Sequence, residues 1–158
     1  MKEEVRTEDM LFMMKKIGLY LTTQMELNLR DRDISGVQVY FMVYILRHHP
    51  KGTYLTELCR EIGVSKPTLS ALIKKLRGKG YLFFQENPED IRKKKVLPTV
   101  KLFEEGKEFL KKAGRMEEEI CSTLNVQEKI QLWELEQKIL RHLSEMGCKE
   151  NRQEVLLT

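Results

Sequence analysis

Apolar residues recur at three- and four-residue steps along most of the chain, a period that predicts a mainly helical protein. Over residues 5–30, Met10, Met13, Met14, Ile17, Tyr20, Leu21 and Leu27 mark a long first helix. Ser35-Gly-Val-Gln38 has the pattern of a capping box, in which two side chains satisfy the free N–H groups at a helix start. It leads into Val39–Leu46, which is apolar nearly all round and so predicts the most buried helix. His48, His49 and Pro50 close it. Thr53 is expected to cap a short third helix, Leu55–Ile62, with Gly63 supplying a tight turn. Ser65 caps a fourth helix, with Pro67 in its first turn, where a missing N–H does little harm. That helix is expected to run to Arg77 and end in Gly78-Lys-Gly80.

The pattern then changes. Tyr81–Gln85 and Lys93–Leu97 read as strands, and Asn87-Pro-Glu-Asp90 as the turn between them. Pro98-Thr99 opens a fifth helix, with Leu102, Phe103, Gly106, Phe109, Leu110, Ala113, Met116 and Ile120 on one stripe. Asn125-Val-Gln-Glu128 is a second capping box and starts a sixth helix. Its Leu132, Leu135, Ile139, Leu143 and Met146 are spaced nearly as a heptad, which suits packing along a partner. Gly147 is placed at its end, and residues 148–158 are read as a loose tail in which Val155–Leu157 could dock.

The chain of 158 residues suits one domain. Its 41% hydrophobic content excludes a disordered tail protein or a collagen-like fibre. No window approaches eighteen uncharged apolar residues, and MKEEVRTEDM lacks the apolar core of a secretory signal. Cys59, Cys121 and Cys148 are odd in number and far apart, which fits a reducing cytoplasm. The expectation is a cytoplasmic protein without a membrane partner. Charge sharpens the picture. Residues 51–101 carry twelve basic against five acidic side chains, whereas residues 1–50 are balanced. Ser65–Gly80 and Ile91–Lys101 each hold five basic residues and no acid, a local signature of a polyanion site.

Two short helices joined by a glycine turn, then a basic hairpin, define a winged helix-turn-helix. Its second helix fits the major groove of duplex DNA. Leu69, Leu72, Ile73 and Leu76 face the core, leaving Pro67, Ser70, Lys74 and Arg77 outward, with Ser65, Lys66 and Thr68 at the N-terminal end and Lys75 beside them. In the hairpin, Asp90 precedes Arg92 by two residues, so its carboxylate can orient the guanidinium toward the minor groove. Lys93, Lys94 and Lys95 follow, within reach of phosphates.

At these residues the chain resembles the MarR family of bacterial transcription regulators, over roughly residues 10–146. Leu55–Ser70 is similar to the family's helix-turn-helix, Gly80-Tyr-Leu82 to the start of its wing, and Asp90-Ile-Arg92 to its Asp-x-Arg signature. Pro98-Thr-Val-Lys-Leu102 departs from the usual Leu-Thr-x-x-Gly. The resemblance implies that Arg92 enters the minor groove with Asp90 orienting it, and that Lys66, Pro67, Thr68, Ser70 and Lys74 contact DNA. It implies a homodimer on a near-palindromic operator, with recognition helices about 34–36 Å apart. It also implies a repressor released by a small aromatic effector. The expected architecture is a mainly α single domain over residues 1–158. A winged helix-turn-helix lobe spans 34–98, dimerisation helices span 1–33 and 99–147, and the tail is 148–158. The alternative is a winged-helix module that binds protein or RNA. Neither a P-loop, a G-x-G-x-x-G, a nucleophile elbow nor a metal motif is present, so no enzyme activity and no cofactor are expected. Cys59 reads as a small packing residue, His48-His49 as surface residues and the first-helix methionines as core.

Overall fold

The computed structural model describes residues 4–157, apart from the side chains of residues 91, 92 and 148–157. Six helices and three strands follow one another as α1 (Thr7–Leu29), α2 (Gly36–His48), β1 (Thr53–Tyr54), α3 (Leu55–Ile62), α4 (Lys66–Gly78), β2 (Leu82–Asn87), β3 (Asp90–Pro98), α5 (Val100–Ile120) and α6 (Val126–Leu157). They form two compact units, Met1–Met116 and Glu117–Thr158. The mainly α class with a small β wing agrees with the sequence pattern.

In the first unit, α2 is the most buried helix, as its all-round apolar sequence predicts: Val39, Met42, Val43 and Ile45 are inaccessible or nearly so. Around them lie Leu58 of α3, Leu69, Ile73 and Leu76 of α4, Leu82 and Val96 of the sheet, and Leu102 and Phe109 of α5. The start of α2 is a full capping box. Gln38 N–H donates to the Ser35 hydroxyl at 3.2 Å and Ser35 N–H donates to Gln38 Oε1 at 3.1 Å. The next residue, Gly36, is buried where a Cβ would collide with the main chain of α1 at Met25 and Glu26. Helix α1 can cross here only because the side chain is missing.

Three expectations are corrected. Thr53 does not cap α3: it is buried in an edge strand, paired with Val96, and its hydroxyl donates to Glu57 at 3.4 Å. Tyr54 stands at the cap position without a side-chain bond. The hairpin is therefore part of a three-stranded antiparallel sheet in the order β1-β3-β2. Secondly, the α1 methionines are not core. Met10, Met13 and Met14 are exposed along with Phe12 and Ile17, and Leu29 is the buried residue of that helix. Thirdly, α6 continues through Gly147 to Leu157. The proposed docking of Val155–Leu157 concerns side chains outside the described residues.

The entry to α5 follows its own sequence. Thr99 Oγ1 accepts from Leu102 N–H at 3.2 Å while its hydroxyl donates to the Gly80 carbonyl at 2.6 Å, so one side chain caps the helix and ties it to the start of the wing. The α5 stripe is narrower than predicted: Leu102, Gly106, Phe109, Ala113 and Met116 are buried, whereas Phe103 is exposed. In the second unit, the Asn125–Glu128 capping box forms with bonds of 2.8 and 3.0 Å. Leu132, Trp133, Leu135, Leu140, Leu143 and Met146 of α6 are exposed.

Gly36→Ala should be costly because the obstacle is backbone and cannot rotate away. Overpacking of this kind destabilises by about 1–3 kcal/mol. The expected outcome is a thermal midpoint several degrees lower by calorimetry, and an unchanged midpoint would show that α1 and α2 can separate there freely.

Candidate nucleic-acid interface

Helix α4 is built to expose one face. Gly63 takes the left-handed conformation at φ 83° that ends α3 and turns the chain. Ser65 then caps α4: its hydroxyl donates to Thr68 Oγ1 at 2.8 Å and accepts a long hydrogen bond from Thr68 N–H at 3.4 Å. Pro67 occupies the first turn. Leu69, Ile73 and Leu76 are buried and Leu72 is half-buried, at the three- and four-residue steps of one stripe. Ser65, Lys66, Pro67, Thr68, Ser70, Lys74, Lys75 and Arg77 are all exposed, as expected. The exposed N-terminal turn thus presents backbone N–H groups, two hydroxyls and an ammonium together, the chemistry that receives phosphate.

The wing stands beside it. Strands β2 and β3 pair from Leu82↔Pro98 to Glu86↔Lys94, with a register shift before Asn87↔Asp90. Asn87 Oδ1 accepts from Glu89 N–H at 3.0 Å and closes the tip. Lys93 and Lys94 are exposed and Asp90 is half-buried at the start of β3. The Arg92 side chain lies outside the described residues, and with it the expected pairing to Asp90. An open cleft of about 400 Å³ separates the N-terminal ends of α3 and α4 from the wing. Lys66 of α4 and Lys93 and Lys94 of β3 line it, so three of the residues singled out in the sequence are brought together.

Phe84 is a residue the sequence did not mark. Its ring has the Arg77 guanidinium 5.0 Å away and the Lys94 ammonium 5.8 Å away, which links the C-terminal part of α4 to the wing. An aromatic residue in a strand that pairs with a lysine-rich one was the available signal. The histidines are also more engaged than expected. His49 Nε2 lies 2.8 Å from Glu61 Oε1, which also accepts from the Tyr44 hydroxyl at 2.9 Å, and the His48 ring stands 4.5 Å from that of Tyr44. Burial pushes the Glu61 carboxyl up, but these two hydrogen bonds outweigh it and the net shift is downward. The contacts fasten α3 to α2 behind the exposed face. Among the described residues, no group of three His, Cys, Asp or Glu side chains is placed to hold a metal ion.

This arrangement defines a winged helix-turn-helix protein. Residues 32–93 match the sequence profile of the MarR family. The fold extends beyond that segment. A DNA complex of MepR from S. aureus superposes with a TM-score of 0.75 at 20% identity, covering 88% of this chain and 99% of its own. A MarR protein from Peptoclostridium difficile gives 0.78 at 20% identity, covering 94% and 96%. BpsR of Bordetella bronchiseptica gives 0.67 at 15% identity, covering 83% and 98%. No curated protein matches the chain significantly. The chain thus carries a MarR-type segment at residues 32–93 and shares the winged-helix fold of the MarR structures over most of its length.

The two faces of α4 predict opposite responses to truncation. Leu69→Ala should destabilise by about 2–5 kcal/mol, the range for a buried leucine. Lys74→Ala should stay within about 0.5 kcal/mol. Urea denaturation of both variants checks this, and equal losses would mean that the exposed face is packed in solution.

Proposed function

We propose that the chain is a sequence-specific, double-stranded-DNA-binding homodimer that acts in the cytoplasm as a repressor released by a small aromatic ligand. The observation that carries the DNA reading is the division of α4. Its apolar stripe is turned to the core, and what remains outward is mostly cationic and hydroxylic, flanked by a wing bearing Lys93 and Lys94. Ser70, Lys74 and Pro67 are assigned to base edges, and Lys66 with the α4 N-terminus to a phosphate. Lys75, Arg77 and Lys93 are assigned to the backbone, and Arg92 with Asp90 to the minor groove. The DNA complex of MepR supports the reading through a shared fold.

The dimer reading rests on apolar side chains that stand exposed on α1 and, separately, on α6. Phe12 of α1 is 64% exposed and Trp133 of α6 is 62% exposed, each within a longer run of exposed Leu, Ile and Met. Contiguous apolar surface of that kind marks an interface. A second copy of the same chain would cover both helices and set two recognition helices about one DNA turn apart. The ligand reading draws on BpsR, whose DNA binding is regulated by 6-hydroxynicotinic acid. A ligand acts as such a switch only by binding the DNA-competent and incompetent arrangements with different affinity.

Fluorescence anisotropy on the protein's own upstream DNA, against a scrambled duplex and across a salt series, tests the DNA reading. Specific binding with a log–log salt slope of about −0.9 per phosphate contacted is expected. Arg92→Ala should weaken it with the fold intact. Lys74→Ala should relax preference at particular base pairs by about 1–3 kcal/mol. Equal, weak binding to both duplexes would leave only a basic surface.

Sedimentation should give a particle of two 18.7 kDa chains. Leu135→Glu should shift it toward one chain and weaken operator binding in step, because a charge on the α6 stripe has no partner in an apolar interface. A monomer at micromolar concentration sinks the dimer reading.

A further inference from the structure

A group of polar contacts joins the α1–α2 connection, the α4–β2 junction and the first turns of α5. Arg32 Nη2 donates to Glu105 Oε1 at 2.7 Å. Burial and the neighbouring Glu105 carboxylate together hold the proton on the phenol of Tyr81, a buried residue. The Lys101 ammonium lies 4.5 Å from the centre of the Tyr81 ring and donates to the Lys79 carbonyl at 2.9 Å. Lys79 Nζ donates to both the backbone and the carboxylate of Asp33, each at 2.9 Å. The turn is therefore held on both sides, by Arg32 to α5 and by Asp33 to the end of α4. Burial pushes the Glu105 carboxyl up, but the neighbouring Tyr81 phenol, the bond from Arg32 and the nearby Lys101 charge together turn the net shift downward, so it is ionised where Arg32 meets it.

Arg32 holds an uncommon backbone position. Its φ is +54°, and among the described residues it alone is a non-glycine residue with positive φ. It is the first central residue of a two-residue turn closed by Asp31 N–H to Ile34 C=O at 3.1 Å and the reciprocal bond at 2.8 Å. Glycine is the ordinary occupant of such a position. The Arg32 side chain is 70% exposed, and an ion pair that accessible contributes little to stability. Stability does not account for an arginine there, whereas strain of this kind persists where a side chain is needed in one place.

We propose that Arg32 is a positioning residue. By anchoring α5 through Glu105, it fixes the angle at which the α4–β2 junction, and with it the recognition helix, is carried between the flanking helices. DNA affinity then depends on a side chain whose partners are Asp31 and Glu105 and not the basic face of α4 or the wing. This inference rests on the DNA-binding reading and deepens it.

The test uses the full chain and a duplex selected by the parent protein from a random pool. A parent that selects no duplex defeats the DNA reading itself. Given a selected duplex, Arg32→Gly should relieve the turn, leaving the thermal midpoint unchanged or raised. Its affinity should nevertheless fall roughly tenfold, inside the range of about 5–150-fold typical of coupling between sites. The salt slope should not change, because no phosphate contact is lost. Arg32→Lys should recover much of the affinity, and Glu105→Gln should reproduce the loss. Parent-like affinity in Arg32→Gly overturns the proposal. So does a salt slope smaller by about one, which would make Arg32 a phosphate ligand. A fall in midpoint matching the loss of affinity would overturn it as well, since the role would then be structural.

Discussion

The buried stripe of α4 is the constraint on which the rest of the molecule depends. A helix of thirteen residues is marginal on its own in water. Leu69, Ile73 and Leu76 make it stable by being almost wholly withdrawn from solvent, where α4 packs against α3 and β2. Because Leu69, Ile73 and Leu76, with half-buried Leu72 beside them, hold the helix, most of the remaining positions carry no core packing. That freedom is what allows lysines, serines and an arginine to crowd one short segment without an acid among them. The same economy explains α3, whose Leu58 is its one fully buried residue and whose outer contacts run through Glu61 to His49 and Tyr44.

Much of this was legible in the residues. Ser65, Pro67 and Gly63 fixed the start of α4 and the turn before it because each is required by local backbone chemistry. Both capping boxes formed as their spacing demands. Strand β1 was not legible: two residues are too few for an alternating pattern, and Thr53 before an apolar segment looks the same as a helix cap. The exposure of α1 was hidden for a different reason. A helical period tells which face of a helix is apolar and says nothing about what covers it, so core and interface give one signal.

The site was legible in composition but not in its connections. The outward residues of α4 followed from the period alone. Phe84 between Arg77 and Lys94, and Tyr81 between Glu105 and Lys101, are pairings across elements that have no signature in a single sequence. Arg32 is the extreme instance, since its position is one where sequence reasoning expects glycine and so assigns no role to a side chain.

The junction of β1 and α3 has a consequence for how this sequence can change. Tyr54 ends the edge strand and Leu55 begins the helix, with no residue between. One inserted residue would rotate α3 by about 100° against the sheet and drive Leu58 out of the core. The tip at Pro88-Glu89 faces no such penalty, because a longer turn moves nothing that is packed. Length is therefore locked at one end of the three-stranded sheet and open at the other, so variation in how far the wing reaches can accumulate without disturbing α4.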